Sequence, residues 1–307
     1  IITACLLCVS SFAVAQNNLT PEMLWQLGRV HAMGLSKDKN YLLYDVGIPD
    51  VAQNKINHKT FMVGFGGGEA AQIENADSML PDKNISPDGN YIISSKEVKL
   101  LNITGADSYS DLQKSNVYIF NSLMYRHWDE YEDGKFGHVF VAPYSNGKAG
   151  DAKDIMSGEA YDCPQKPFGG DEDFIWNPDS KHIVYVCKKK SGTDYALSTN
   201  TDLYEYDVTS GATKNLTEGM MGYDINPAYN SKGELAWLSQ RRDGYEADKQ
   251  DIVVSSGITK MNLTKQNDLI NVESFAWSDD NKNIFFIAPV NGTLQLFSVN
   301  YPGLTRM

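Results

Sequence analysis

The chain has 307 residues, of which 42% are hydrophobic and 21% are charged, and 39 acidic against 27 basic residues give a net charge of −12. A chain of this length can bury a sizeable core, and the acidic balance argues against nucleic acids and anionic membrane surfaces as partners. An acidic surface also favours cationic ligands, such as a free amino terminus, but it is equally a common aid to solubility.

The sequence opens on an apolar run that ends in a small-x-small motif. Residues 1–14 are mostly apolar, and Ala13-Val14-Ala15 precedes Gln16, which is typical of the apolar region and cleavage site of a secretory signal peptide. We interpret residues 1–15 as a signal peptide without its initiator Met and basic leader, and we expect a periplasmic or secreted protein. A lead-in segment, residues 16–29, follows, with a helix predicted over Pro21–Arg29.

An internal repeat of about fifty residues occupies the rest of the sequence. Each copy begins with a polar turn, continues in a β-rich run with alternating apolar residues, and ends in a second, shorter half. The turn residues of the five copies occupy positions 36, 86, 177, 230 and 278. Alternation at period two and the turn dipeptides predict about four strands per copy, which is the size of a propeller blade.

The repeat therefore predicts an all-β fold, an incomplete β-propeller with about five four-stranded blades. We expect the blades at about residues 30–76, 77–160, 161–219, 220–268 and 269–307. An insertion, residues 105–137, enlarges the second blade, and helical periodicity predicts a short helix over part of 120–133. The match of Gly257-ITKM to Gly303-LTRM predicts that the chain stops inside an outer strand, as part of a longer ring.

Motifs of several enzyme classes are absent from the sequence. It contains no Gly-x-Ser-x-Gly nucleophile elbow and no phosphate-binding loop, and its five histidines show no metal-ligand spacing. The acidic run Asp171–Asp173 is typical of a solvated loop. We therefore expect no catalytic residue, no metal and no cofactor. Cys163 and Cys187 can form a disulfide in an oxidising compartment or stay buried as free thiols, and the sequence leaves both alternatives open.

Three long segments, residues 123–141, 166–207 and 215–249, resemble the propeller of the prolyl oligopeptidase family. They begin LMYRHWDEYEDGKFGHVFV, KPFGGDEDFIWNPDS and NLTEGMMGYDINPAYNS, and they are most similar to the branch of acylaminoacyl peptidases and bacterial dipeptidyl peptidases. The resemblance implies a seven- or eight-bladed propeller ahead of an α/β-hydrolase domain with a Ser-Asp-His triad. That domain is absent from this sequence, so we expect the chain alone to be inactive.

The same resemblance implies a function and partners. Family propellers cap the active site and restrict substrates to short peptides, which would meet this chain through the hydrolase domain. The sequence thus predicts the non-catalytic propeller domain of a secreted serine exopeptidase, one that gates the active site and helps to bind the substrate's amino terminus. We expect no nucleic acid and no membrane partner, and a homodimer is compatible with the full-length protein.

Two interpretations of the segment LMYRHWDEYEDG, residues 123–134, remain open. In the first it is a short helix whose aromatic face packs on the propeller and whose Arg126 forms local ion pairs with the acids three and four residues on.

In the second interpretation the carboxylates capture the substrate's amino group, as dipeptidyl members of the family do with acids on a propeller insertion. The candidate amine-binding residues are then Asp129, Glu130 and Glu132, and the candidate pocket-lining residues are Trp128 and Tyr131.

An alternative function is a periplasmic propeller that acts only as a binding or scaffold module of an envelope complex. Such propellers share the Ser-Pro-Asp-Gly turns but lack the 123–141 insertion, which therefore favours the peptidase. A self-contained five-bladed glycan enzyme would need carboxylates at the centre of the ring, whereas the acids here lie mainly in turns. We assign the polar clusters at Asp224 and at residues 241–243 to structure rather than to substrate binding.

Overall fold

Antiparallel sheets make up nearly all the regular structure of this chain. A computed structural model describes residues 18–112, 114–257 and 259–303, and the chain divides after Asp82 into two compact units. The predicted signal peptide, residues 1–15, and the predicted strand end at residues 304–307 lie outside the described residues. Within the described ranges no helix is long and apolar enough to cross a membrane.

A short helix opens the first unit where the sequence predicts one. Thr20 caps this helix, α1 (Pro21–Gln26), because its Oγ1 accepts a hydrogen bond from the Met23 backbone N–H at 3.2 Å. The proline in the first turn supplies a φ angle that already suits a helix. The helix ends before the predicted Arg29 because that residue begins the first strand.

The first unit contains one sheet, the first blade. Its antiparallel strands pair in sequence order and are β1 (Arg29–Leu35), β2 (Tyr41–Asp50), β3 (Lys55–Gly64) and β4 (Ala71–Ile73). A four-residue helix, α2 (Ala76–Met79), follows the last strand.

The second unit begins with the second blade, which carries an insertion. The blade and its insertion begin with β5 (Tyr91–Lys99), α3 (Gly105–Ser108), β6 (Arg126–His127) and β7 (Glu130–Tyr131). The blade is completed by β8 (Lys135–Ser145), β9 (Lys148–Ala149) and β10 (Lys153–Asp154). Strand β8 lies between β5 and β10, so the insertion spans the connection of one hairpin.

The remaining three blades repeat the simple antiparallel order. After a 3₁₀ turn at Asp171–Asp173, the third blade contains β11 (Phe174–Trp176), β12 (His182–Cys187), α4 (Gly192–Leu197), β13 (Asp202–Asp207) and β14 (Thr213–Asn215). The fourth contains β15 (Asp224–Tyr229), β16 (Leu235–Ser239), β17 (Asp251–Ser255) and β18 (Lys260–Asn262). The fifth contains β19 (Ser274–Trp277), β20 (Asn283–Val290) and β21 (Thr293–Asn300). These sheets confirm the predicted all-β propeller with five successive blades.

The repeated polar turn has the same hydrogen bonds in three of the blades. Oγ of Ser86 accepts a bond from the Tyr91 backbone N–H at 2.9 Å and donates to Asp88 at 2.6 Å. Ser36 and Ser278 make the same two bonds to residues at the same spacings. The serine and the aspartate thereby close the turn that leads into β2, β5 and β20, which explains why they recur in the sequence.

The central strands of the third and fourth blades bury both faces. On β12, Ile183, Tyr185 and Cys187 join an apolar cluster shared with the second blade, whereas Val184 and Val186 join one shared with the fourth. All five side chains are fully buried. Because burying one such side chain contributes roughly 1.5–3 kcal/mol, the third blade depends on the second and fourth blades, which cover its two faces.

Tryptophan side chains also tie adjacent blades together. The Trp176 Nε1–H at the end of β11 donates to the Asn84 carbonyl in the second blade at 2.8 Å. In the same way, the Trp277 Nε1–H at the end of β19 donates to the Ala228 carbonyl in the fourth blade at 3.1 Å. The first strands of the third and fifth blades are thus anchored to the blades before them.

The predicted helix within residues 120–133 is wrong, because this segment contains the hairpin β6–β7. Trp128, in the turn, has φ of +53°, a left-handed value that a right-handed helix excludes. The prediction relied on aromatic residues at helical spacing, but so short a helix is unstable alone and aromatic residues also favour strands. The insertion's helical turn is instead α3.

Cys163 and Cys187 are free thiols, both fully buried in the cluster between the second and third blades. Of the two alternatives that the sequence left open, the structure therefore shows the buried thiols. Burial raises the pKa of both thiols, which keeps them protonated and unreactive at neutral pH.

We predict that Trp176→Phe weakens the contact between the second and third blades. The substitution removes the indole donor to Asn84 and part of a buried ring, and we expect the free energy of unfolding to fall by about 1–2 kcal/mol. The measurement is the urea midpoint of unfolding. The matched control is Trp128→Phe, at a side chain that is 65% exposed, where the change is expected to stay within about 0.5 kcal/mol. Equal losses at both positions would contradict the prediction.

Candidate functional site

The hairpin β6–β7 presents the site residues that the sequence predicts. Trp128 and Asp129 form its turn, and the Trp128 carbonyl accepts a hydrogen bond from Arg126 Nε at 2.9 Å. This bond directs the guanidinium to the backbone. Among the described residues Arg126 forms no ion pair, so the predicted pairs with Asp129 and Glu130 are wrong.

A row of aromatic rings supports the hairpin from within the insertion. The Tyr131 ring stacks on Tyr118 with 5.9 Å between centroids, Tyr118 stacks on Phe120 at 6.1 Å, and Phe120 packs at a tilt on Tyr125 at 5.7 Å. Such pairs contribute roughly 0.5–1.5 kcal/mol each beyond their buried area. The hairpin is therefore held by its own insertion, and Tyr131 remains 54% exposed.

An acidic cleft of about 520 Å³ lies beside the hairpin. All five predicted site residues line it: Trp128, Asp129, Glu130, Tyr131 and Glu132. The walls also carry Glu97, Asp133 and Lys166, so five carboxylates face one lysine. Local structure thus gathers the residues that the sequence singled out, in a cleft whose charge suits a cation.

Two of the five carboxylates already have a basic partner. Lys135 Nζ lies 3.0 Å from Asp133 and 3.4 Å from Glu97. Among the described residues, no lysine or arginine forms an ion pair with Asp129, Glu130 or Glu132. These three acids carry the uncompensated charge of the cleft.

Glu132 is the least exposed of these three acids. Burial is the main cause that raises the pKa of Glu132, and the nearby Lys166 ammonium opposes that rise. The Lys166 ammonium is itself drawn to Asp162, with 3.5 Å between Nζ and Oδ1. A second cation near Glu132 would therefore stabilise a carboxylate that the protein leaves only partly compensated.

Sequence reasoning missed Asp162, which forms an ion pair with Lys166 of the cleft wall. Its side chain is 95% buried, at 5% relative exposure, and its Oδ1 accepts a hydrogen bond from the Gly137 N–H at 2.8 Å. Burial raises the pKa of this carboxyl. No local pattern marks Asp162, because the strand it contacts is 25 residues away in the sequence.

A larger cavity, of about 690 Å³, adjoins the acidic cleft. The two share His127, Trp128, Lys166 and Pro167 in their walls. The His127 ring packs edge-on against Tyr195 with 5.4 Å between centroids. Burial and then the charge of Lys188 lower the pKa of His127, so the imidazole is neutral at pH 7 and does not repel a cation in the cleft.

The polar cluster at residues 241–243 makes contacts that stabilise the fold. The Asp243 carboxylate accepts bonds from the Ser198 hydroxyl and the Thr199 N–H, both at 2.7 Å, and thereby ties the third blade to the fourth. Arg242 forms an ion pair with Asp248. These contacts fit the structural role assigned to the cluster.

Asp224 begins β15 and has no exposed surface. Its carboxylate accepts a hydrogen bond from Trp237 Nε1 at 2.7 Å, and its backbone N–H donates to Thr201 Oγ1 at 2.9 Å. Burial raises the pKa of this carboxyl to about 7. The group lies between two blades, so its ionisation affects stability.

The chain is similar to known peptidases along most of its length. It is 35% identical to the dipeptidyl-peptidase 5 of Porphyromonas gingivalis over 92% of the chain, and 33% identical to that of Porphyromonas endodontalis over 75% of the chain. The acylaminoacyl peptidase of Pyrococcus horikoshii matches 92% of the chain with a TM-score of 0.60 at 13% identity, which shows the fold alone. No protein-family model matches the chain.

These relatives are longer than the chain. The chain spans 48% and 40% of the two dipeptidyl-peptidases, and 46% of the acylaminoacyl peptidase.

We predict that Asp224 makes stability fall as the pH rises. The carboxyl titrates near pH 4 in the unfolded chain and at about 7 in the folded one, so between these values only the folded state keeps the proton. Stability is therefore lost with rising pH, by up to about 1.4 kcal/mol per unit. Asp224→Asn removes this term, and in urea titrations from pH 5 to pH 8 the variant should gain stability relative to the parent.

The control for this prediction is Glu218→Gln, at an exposed acid of the third blade. Its stability difference from the parent is expected to stay flat across the same range. A flat difference for Asp224→Asn as well would refute the raised pKa.

Proposed function

Because the chain is an amino-terminal propeller of the prolyl oligopeptidase family, we propose that it serves in a serine dipeptidyl peptidase and binds the amino terminus of the peptide substrate. The observation that carries the proposal is the acidic cleft, in which Asp129, Glu130 and Glu132 form no ion pair among the described residues. An enzyme that releases dipeptides has to locate a free amino group, and carboxylates at a fixed place do so by charge-assisted hydrogen bonds.

A substrate ammonium has three N–H donors, and the three acids of the cleft offer matching acceptors. A bound ammonium would stabilise the Glu132 carboxylate most. Burial raises the pKa of this half-buried carboxyl and so disfavours its charged form, and a bound cation would favour that form again. The Trp128 ring lies in the same wall and can flank the cation with its face. An N-acetylated peptide lacks the charge and offers one neutral amide N–H in place of the three ammonium donors.

Two further roles belong to the same proposal. The propeller would gate the hydrolase domain, so that only short peptides reach the serine nucleophile. The apolar run at residues 1–14 supports export, and the enzyme would then act in the periplasm or outside the cell.

We predict that Glu132→Gln in the full-length protein lowers kcat/KM for dipeptidyl substrates with a free amino group by about 10- to 100-fold. The reason is that the variant loses a hydrogen bond to a charged group, and such a bond contributes about 1.5–3 kcal/mol. For the parent, kcat/KM is also expected to fall as the pH drops through the raised pKa of Glu132, since the protonated acid no longer attracts the ammonium. This acid limb should be lost in the Gln variant.

The controls separate amine binding from general damage. N-acetylated substrates should be poor for parent and variant alike, and Glu218→Gln should retain parental kcat/KM. Parental turnover of free-amine substrates by Glu132→Gln, Asp129→Asn and Glu130→Gln would rule out amine binding in this cleft.

The assignment to a serine peptidase can be tested without protein. We predict a Gly-x-Ser-x-Gly elbow within about 250–350 residues downstream in the gene, the size of one hydrolase domain. Sequencing across this region tests the prediction. If the region contains no such elbow, no serine nucleophile accompanies the propeller, and the assignment to a serine peptidase is wrong.

A further inference from the structure

A third cavity, of about 810 Å³, lies at the fourth blade and has a basic wall. Its lining residues include five cations and three aspartates, which leaves a net charge of +2, whereas the whole chain carries −12. The cations are Arg241, Arg242, Lys249, Lys260 and Lys265. This basic cavity in an acidic protein attracts anions.

Two of the five cations are paired within the fold. Arg242 forms an ion pair with Asp248, and Lys249 Nζ lies 2.7 Å from Asp251 Oδ1. The third aspartate of the wall, Asp268, is exposed, so water screens its charge. The aspartates therefore leave three cations of the basic cavity without a partner.

These three cations are Arg241, Lys260 and Lys265. Their side chains are exposed and form no hydrogen bond or ion pair among the described residues. Lys260 acts on the buried Asp224, whose pKa its charge lowers, without forming an ion pair with it. Arg241 follows β16, Lys260 begins β18 and Lys265 follows β18. A guanidinium and two ammonium groups from three segments can together hold one carboxylate.

The basic cavity lies at the same end of the propeller as the hairpin β6–β7. The connection β5–β8, which carries the hairpin, and the connection β16–β17, which carries Arg241, each join the two central strands of a blade. Because blades are radial repeats, equivalent connections lie at the same end.

The 690 Å³ cavity links the acidic cleft to the basic cavity. It shares Trp128 with the wall of the cleft and Gln240 with the wall of the basic cavity. The three cavities therefore form a row that is acidic at one end, at the second blade, and basic at the other end, at the fourth blade.

We propose that the basic cavity binds the terminal carboxylate of short peptide substrates through Arg241, Lys260 and Lys265. The inference rests on the proposed function, because the amino group in the acidic cleft sets where the peptide begins. A peptide with free ends carries an ammonium at one end and a carboxylate at the other, which matches the polarity of the row. Peptides of the length that spans the row are then favoured over longer ones.

The test uses the full-length peptidase and pairs of peptides, from tripeptides to octapeptides, that differ only in a free or an amidated carboxyl terminus. Release of the dipeptide is followed by chromatography. For the parent we expect kcat/KM of the free acid to exceed that of the amide by about tenfold or more at the best length. This advantage should decline for longer peptides, because their carboxyl ends extend beyond the cavity.

The variants Arg241→Gln and Lys265→Gln should each reduce the free-acid advantage by about three- to tenfold. The triple variant that also carries Lys260→Gln should abolish it, with parental turnover of the amides. The matched control is Lys232→Gln, at an exposed lysine in the turn between β15 and β16, at the other end of the fourth blade. It should keep the parental advantage, and the urea midpoint of each variant checks that it is folded.

Three outcomes would overturn the proposal. The first is a parent that turns over the free acid no better than the amide. The second is an advantage that is equal at every peptide length, because a general electrostatic field and not a bound carboxylate would then be its cause. The third is a folded triple variant that keeps the parental advantage.

Amine binding and carboxylate binding fail separately in this design. If N-acetylation leaves kcat/KM unchanged while the free-acid advantage responds to Arg241→Gln, the amine site is refuted and the carboxylate site stands. If N-acetylation abolishes turnover while amidation has no effect, the amine site stands and the carboxylate site is refuted.

Discussion

The structure of the second unit depends on one constraint: the third and fourth blades are apolar on both faces, and a neighbouring blade has to cover each face. Along β12 successive side chains alternate between the cluster shared with the preceding blade and the cluster shared with the following one. β16 does the same, with Trp237 on one side and Ala236 and Leu238 on the other. A blade is therefore stable only as a member of a series.

This constraint separates the parts of the chain that make the fold from those that can serve a function. The central strands, the polar turns and the indole bonds of Trp176 and Trp277 are committed to joining blades. The hairpin β6–β7 is not committed to joining blades, because it extends from the connection between β5 and β8 and packs on the aromatic stack of its own insertion. Its side chains are free to be acidic and exposed without a cost to the core.

The two cavities beside the hairpin differ in the charged groups of their walls. In the cleft three carboxylates form no ion pair among the described residues, and burial has raised the pKa of Glu132. In the wall of the adjoining cavity the Lys188 ammonium lies 4.3 Å from the centroid of the Tyr195 ring. Trp128 lies in the wall of both.

The strands, the five repeats and the residues of the acidic cleft could be predicted from the sequence, because period-two alternation, serine–aspartate turns and a run of acids are local patterns. The sequence mispredicted the hairpin as a helix, because the aromatic spacing fits both structures locally. Three features emerge only in the folded chain: the acids line a cleft, Asp162 pairs with Lys166 beside it, and Lys188 is buried in a cavity wall. Burial and the absence of a partner depend on contacts between residues far apart in the chain, and no local pattern records them.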